Sequence, residues 1–167
     1  MIMPEYEETL YEETVKLAGW IVSLIGLVIL GLIVTILILV VNGVAPEDRM
    51  GLPISGLVTV FIALVFWNYR EIRIRVTPRE LEARYGFLNK TVIPLSEIDS
   101  CQPTTARFGR YLGVGVRLGF DGSNAYTASF GPAVEVRSRG RRPFVVSTNR
   151  SLELSQVVNS AIQRARG

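Results

Sequence analysis

Histidine is absent from this 167-residue chain, and cysteine occurs once, at Cys101. The first absence removes imidazole as a general acid, general base or metal ligand. The second rules out an intrachain disulfide and leaves no thiolate set for a zinc site. Basic charge is scarce in one half. Residues 1–67 hold two basic side chains, Lys16 and Arg49, against seven acidic ones, a net of −5. Residues 68–167 hold sixteen basic and eight acidic, a net of +8. Such asymmetry places the halves in different surroundings.

Charge disappears altogether over Trp20–Val41, a run of 22 residues whose only hydroxyls are Ser23 and Thr35. As a helix this run is about 33 Å long, enough to cross a hydrocarbon core of roughly 30 Å. A lone strand would leave its backbone polar groups unpaired in lipid, so the expected state is a transmembrane helix. A second uncharged run, Gly51–Trp67, carries Pro53 in its first turn, where the missing amide costs little. Trp20 at the near end of the first run, and Trp67 and Tyr69 at the far end of the second, are expected interfacial anchors. No ionisable side chain falls inside either run, which argues against an ion path built from one chain.

Arg70, Arg73, Arg75, Arg79 and Arg84 follow the second run closely, while the intervening turn holds one Arg. The positive-inside rule then gives a multi-pass protein of the cell membrane with both termini cytoplasmic. The leader is acidic (Glu5, Glu7, Glu8, Glu12 and Glu13) rather than basic, and Pro46 follows the small residues Gly43-Val44-Ala45, so no signal cleavage is expected. Tyr6, Leu10, Tyr11, Thr14, Val15 and Leu17 recur at spacings of three and four. That spacing predicts a short amphipathic helix leading into the first span.

After Tyr69 the period changes to two. Ile72, Ile74 and Val76 alternate with Arg73, Arg75 and Thr77, and Leu81, Ala83 and Tyr85 continue the pattern beyond a turn at Pro78. Further short strands are expected near 91–94, 101–105, 114–118, 126–130, 133–139 and 144–147, with turns at Gly86–Lys90, Asp121–Asn124 and Arg139–Arg142. Ser151 is the expected N-cap of a closing amphipathic helix with Leu154, Val157, Val158, Ala161 and Ile162 on one face. Three segments result: an acidic amphipathic segment over 1–19, a helical hairpin over 20–67 with spans 20–41 and 51–67, and a mainly-β cytoplasmic domain over 68–167.

Several stretches together carry a family resemblance. They are Val76-Thr77-Pro78-Arg79-Glu80-Leu81, Gly86-Phe87-Leu88-Asn89-Lys90, Ile93-Pro94-Leu95-Ser96-Glu97-Ile98-Asp99, Phe108-Gly109-Arg110-Tyr111-Leu112-Gly113-Val114-Gly115 and the closing Asn149–Ile162 segment. With the two preceding spans, the chain resembles bacterial pleckstrin-homology (PH) domains attached to two transmembrane helices. The resemblance implies a partly open barrel of about seven antiparallel strands capped by a C-terminal helix. The fold itself hosts many uses.

The residues that could contact a partner or an anionic lipid are Arg70, Arg73 and Arg75 beside the second span and Arg137, Arg139, Arg141 and Arg142 around one hairpin. A solvated basic face that enforces topology is the simpler reading of both groups. Glu97 and Asp99 would share a strand face with no basic partner evident, Cys101 reads as a core residue, and Phe108–Tyr111 is too short for a nucleic-acid platform. The expectation is a non-catalytic, membrane-anchored interaction or assembly module without metal, cofactor, nucleic acid or small-molecule substrate. Its partners would be membrane lipids and another membrane protein or a second copy of itself. Anionic-lipid binding through the arginine rim, or a place in an oligomeric channel, are the rival readings.

Overall fold

The computed structural model describes residues 8–43, 50–111 and 113–166. The chain divides into two compact units, one formed by Leu17–Arg70 and the other by the N-terminal residues through Lys16 together with Glu71–Gly167. The turn expected between the two apolar runs lies largely outside the described residues.

The first unit is a pair of helices, α1 (Gly19–Asn42) and α2 (Gly51–Asn68). Both are long and apolar enough to cross a membrane, with mean hydropathies of 3.4 and 1.8 over their most apolar windows. None of that window in α1, and 6% of it in α2, is buried. The two threonine hydroxyls are satisfied within the helices: Thr35 Oγ1 donates to Gly31 O at 2.9 Å and Thr59 Oγ1 to Ser55 O at 2.8 Å. At the end where the chain enters and leaves this unit, Leu17 N–H donates to Arg70 O at 2.8 Å, and the Arg70 guanidinium lies 4.3 Å from the centre of the Trp67 ring.

The second unit is mainly β, with two sheets and a C-terminal helix. Its first sheet has the order β1-β2-β3-β4, from Tyr11–Lys16, Glu71–Val76, Glu80–Tyr85 and Asn89–Pro94, all antiparallel. Ile72, Ile74, Val76, Leu81, Ala83 and Tyr85 point inward and are at most 1% exposed, as the period of two requires. The second sheet has the order β5-β8-β9-β7-β6, from Ile98–Ala106, Gly131–Ser138, Phe144–Ser147, Asn124–Thr127 and Gly115–Leu118. A single 3-10 turn, Leu95–Glu97, links the sheets, and a one-turn helix α3 (Phe108–Tyr111) precedes β6. Tyr85 and Tyr126 join the sheets: Tyr85 OH donates to Thr127 O at 3.3 Å, and the Tyr126 and Thr91 hydroxyls are 2.8 Å apart.

Helix α4 (Ser151–Arg166) closes the unit, burying Leu154, Val158, Ala161 and Ile162. Asn159 fixes it to β5 with a bond in each direction, accepting from Cys101 N–H at 3.1 Å and donating to Cys101 O at 2.8 Å. Cys101 itself is buried, and loss of hydration pushes its thiol up to about 12.

Four expectations are corrected. The amphipathic helix predicted before the first span is strand β1, because Tyr11, Glu13 and Val15 alternate and the open edge of β2 accepts them along Tyr11↔Val76 to Lys16↔Glu71. Among the described residues eight strands lie within 68–167, close to the expected seven, but β1 from the N-terminal segment joins them, and the two resulting sheets do not close into a barrel. The sheets are not wholly antiparallel, since β7 and β9 pair in parallel. Finally, Ser151 is the first helical residue rather than the cap. Leu154 N–H already bonds Arg150 O, and Thr148 Oγ1 accepts Arg150 N–H at 3.0 Å.

Candidate functional site

Three features of the β unit present chemistry at its surface or bind its parts together. The first is the arginine rim at the β8–β9 turn, where Gly140 takes φ 67°, a left-handed conformation that glycine adopts without strain. Arg137 pairs with Glu135 at 2.9 Å, Arg139 with Asp99 at 3.1 Å, and Arg141 with Glu97 at 3.1 Å. Arg166 adds a second contact to Asp99 at 3.4 Å and donates to Ile98 O at 2.7 Å. Glu97 and Asp99, for which the sequence offers no evident basic partner, are therefore partners of the rim and offset much of its charge. Arg142 is exposed at the turn.

The other expected basic contacts do not join this rim. Arg73 and Arg75 stand on β2 in the other sheet, Arg73 paired with Glu71 at 2.6 Å and Arg75 donating to Thr9 Oγ1 at 2.9 Å. Arg70 belongs to the helical unit, as do Trp20, Trp67 and Tyr69. Trp20 and Trp67 are 62% and 60% exposed at the helix ends, and Tyr69 is half-buried.

The second feature was not legible as a site. Glu13 of β1 is buried, and its carboxylate accepts from Tyr11 OH at 2.7 Å, from Thr148 Oγ1 and from Asn149 N–H at 2.9 Å. Arg150 covers the cluster, its guanidinium 4.9 Å from the Tyr11 ring centre and bonded to Glu12 O at 3.2 Å. Burial, followed by the neighbouring Glu13 carboxylate, pushes the Tyr11 hydroxyl up to about 12. The cluster joins the first strand of one sheet to the junction of β9 and α4. The alternation Tyr11-x-Glu13-x-Val15-x-Leu17 was the available signal, overshadowed by spacings of three and four.

The third feature is the β6 edge. Alternation marks Gly115–Leu118 correctly as a strand but does not give it a dry face. Val116, Leu118 and the following Phe120 are 44%, 64% and 77% exposed. The edge is built with care. Thr127 Oγ1 lies 3.2 Å from Gly113 O and Gly115 O, and Arg117 Nε donates to Val114 O at 3.0 Å. Beyond the strand, Ser123 Oγ donates to Asp121 Oδ1 at 2.6 Å and lies 3.2 Å from Tyr111 OH. A Cβ on Gly119 would sit 2.4 Å from Asp121 Oδ1 and 2.6 Å from Ser123 Oγ, so only glycine fits beneath this turn.

A shallow, open groove of about 380 Å³ is lined by Pro103, Thr104, Thr105, Gly131, Pro132 and Ser151. It gathers no ionisable side chain. Among the described residues no group of three or more His, Cys, Asp or Glu side chains could hold a metal ion.

The family model described as bacterial PH domain matches residues 16–139. The chain belongs to this family. The match runs through both long helices and on through β8, leaving β9 and α4 of this bacterial PH domain beyond its end. No curated protein and no solved structure matches the chain.

Proposed function

We propose that this bacterial PH domain is a non-catalytic interaction or assembly module, held at the cell membrane by α1 and α2, that binds another membrane protein or a second copy of itself through the β6 edge. The observation that carries the reading is the exposure of Val116 and Leu118 on β6, and of Phe120 just beyond it, along a strand whose one neighbour among the described residues is β7. An edge strand offers unpaired backbone groups, and these apolar side chains add a surface that a partner's strand or loop can cover. Fixing such a module in a membrane raises its effective concentration toward partners in the same membrane. Both termini and the β unit face the cytoplasm in this reading, supported by the arginines that follow α2.

Anionic-lipid recognition by the arginine rim is the rival reading, with Arg142 exposed at the turn and the exposed Arg137, Arg139 and Arg141 each able to exchange a carboxylate partner for a headgroup. A photo-crosslinking residue at Leu118, in the full chain expressed at its native level, tests the proposal. A discrete crosslinked product is expected, lost on Phe120→Asp and absent when the crosslinker replaces Gln156 of α4. A monodisperse monomer with no crosslinked protein would overturn it.

A further inference from the structure

The β3–β4 turn places two large apolar side chains in water: Phe87 is 82% exposed and Leu88 79%. Its position in the sheet is informative. Val15, Ile72, Tyr85 and Asn89 stand abreast across β1, β2, β3 and β4, so residues 86–88 project beyond that rung on the side of Lys16 and Glu71. Lys16 is the last residue of β1, separated from α1 by two residues, and Glu71 the first of β2, separated from α2 by two residues. The apolar tip therefore occupies the end of the sheet to which both membrane-length helices are tied by sequence.

The adjacent rung carries charge. Thr14, Arg73, Arg84 and Lys90 stand abreast on the exposed face, three cations in register across three neighbouring strands. Like charges directly opposite one another disfavour a sheet. Glu71 answers Arg73, and Glu82 is shared by Arg84 and Lys90, each at 3.2 Å, so two carboxylates serve three cations. An aromatic and an aliphatic tip backed by a cationic row, at the tethered end of a sheet, matches the profile of an anionic leaflet entered tip first: phosphate at the surface to meet the cations, hydrocarbon beneath it to receive the tip.

We propose that the β3–β4 turn is a membrane-contacting tip, with Phe87 and Leu88 entering the acyl boundary and Arg73, Arg84 and Lys90 meeting anionic phospholipid headgroups. The inference rests on the membrane anchoring proposed above and adds a lipid-facing surface separate from the arginine rim. Its role is to hold the tethered end of the β unit against the leaflet. Basic side chains suit this position because their alkyl stems lie along apolar surface while the charged ends reach phosphate.

The test uses the full chain, with Cys101→Ala to remove the native thiol, reconstituted in phosphatidylcholine vesicles with or without a minority of phosphatidylglycerol. An environment-sensitive fluorophore is placed at Leu88→Cys or, in a second protein, at Leu30→Cys in α1, and quenching by doxyl-labelled lipid is read. Quenching at both positions is expected, that at 88 falling about twofold or more in neutral vesicles or with Arg84→Glu and Lys90→Glu together. Quenching at 30 without quenching at 88 overturns the tip and leaves the anchoring intact. No quenching at either position overturns both. Quenching at 88 that ignores lipid charge and both substitutions removes the cationic row from the proposal.

Discussion

Ile72, Ile74 and Val76 of β2, and Leu27, Leu30 and Phe61 of the two long helices, are side chains of the same chemical kind with opposite fates. The first three are fully buried; the others are 70%, 60% and 65% exposed. The β unit satisfies its apolar residues internally by putting polar ones on alternate positions. The helices have no such alternation and no internal core to receive the excess. At roughly 25 cal/mol per Å² of apolar surface, leaving it in water is a large cost. The contrast fits two units built for different solvents, one supplying its own dry interior and the other, under the proposed anchoring, taking one from the bilayer.

The largest effect expected from this contrast is on reactivity. Because burial raises the Cys101 thiol to about 12, its thiolate is scarce at pH 8, about a thousandfold below that of a free thiol near 8.5. Alkylation should be slower than at an exposed Thr14→Cys by at least that factor, and should accelerate as pH rises or when the β unit is unfolded. Rapid native labelling of Cys101 would break the claim of a sealed interior. In stability, Ile74→Ala should cost about 2–5 kcal/mol by denaturant titration in detergent, whereas Leu27→Ala in α1 should leave folding unchanged within about 0.5 kcal/mol. Leu30→Lys sharpens the contrast from the other side. It should disfavour membrane insertion by about 3–4 kcal/mol, read as the fraction of chains integrated, while leaving the denaturant midpoint of the β unit in place.

Glu13→Ala should cost about 1–3 kcal/mol, since it strips the Tyr11 and Thr148 hydroxyls and the Asn149 amide of a buried acceptor. Arg139→Ala should have the smallest effect, within about 0.5 kcal/mol, because its ion pair with Asp99 is exposed on both sides.

The helical unit was legible because its signal is local: a run without charge, long enough to span, announces itself in any window. Strands β2 and β3 were legible for a similar reason, since one face of each is dry and the other wet. Strand β1 escapes a local reading because six residues satisfy a period of two and a period near 3.6 almost equally, and the deciding fact is the free edge of β2, 55 residues away at Lys16↔Glu71 and 65 at Tyr11↔Val76. The parallel pairing of β7 with β9 likewise depends on a neighbour that no local pattern names. The candidate site was least legible. Arg139 and Arg141 stand out in sequence as charges, but their partners Asp99 and Glu97 are about 40 residues earlier, and only the pairing of β5 with β8 brings them together. Val116 and Leu118 look like core residues until β6 is seen to be an edge.

Alkaline carbonate extraction of membranes from cells expressing the full chain tests the central claim most directly. The account predicts that the protein stays in the membrane pellet, as a chain held by two spanning helices must. Quantitative release into the supernatant would show that the exposed apolar faces of α1 and α2 are covered by something other than lipid, and the account would fail.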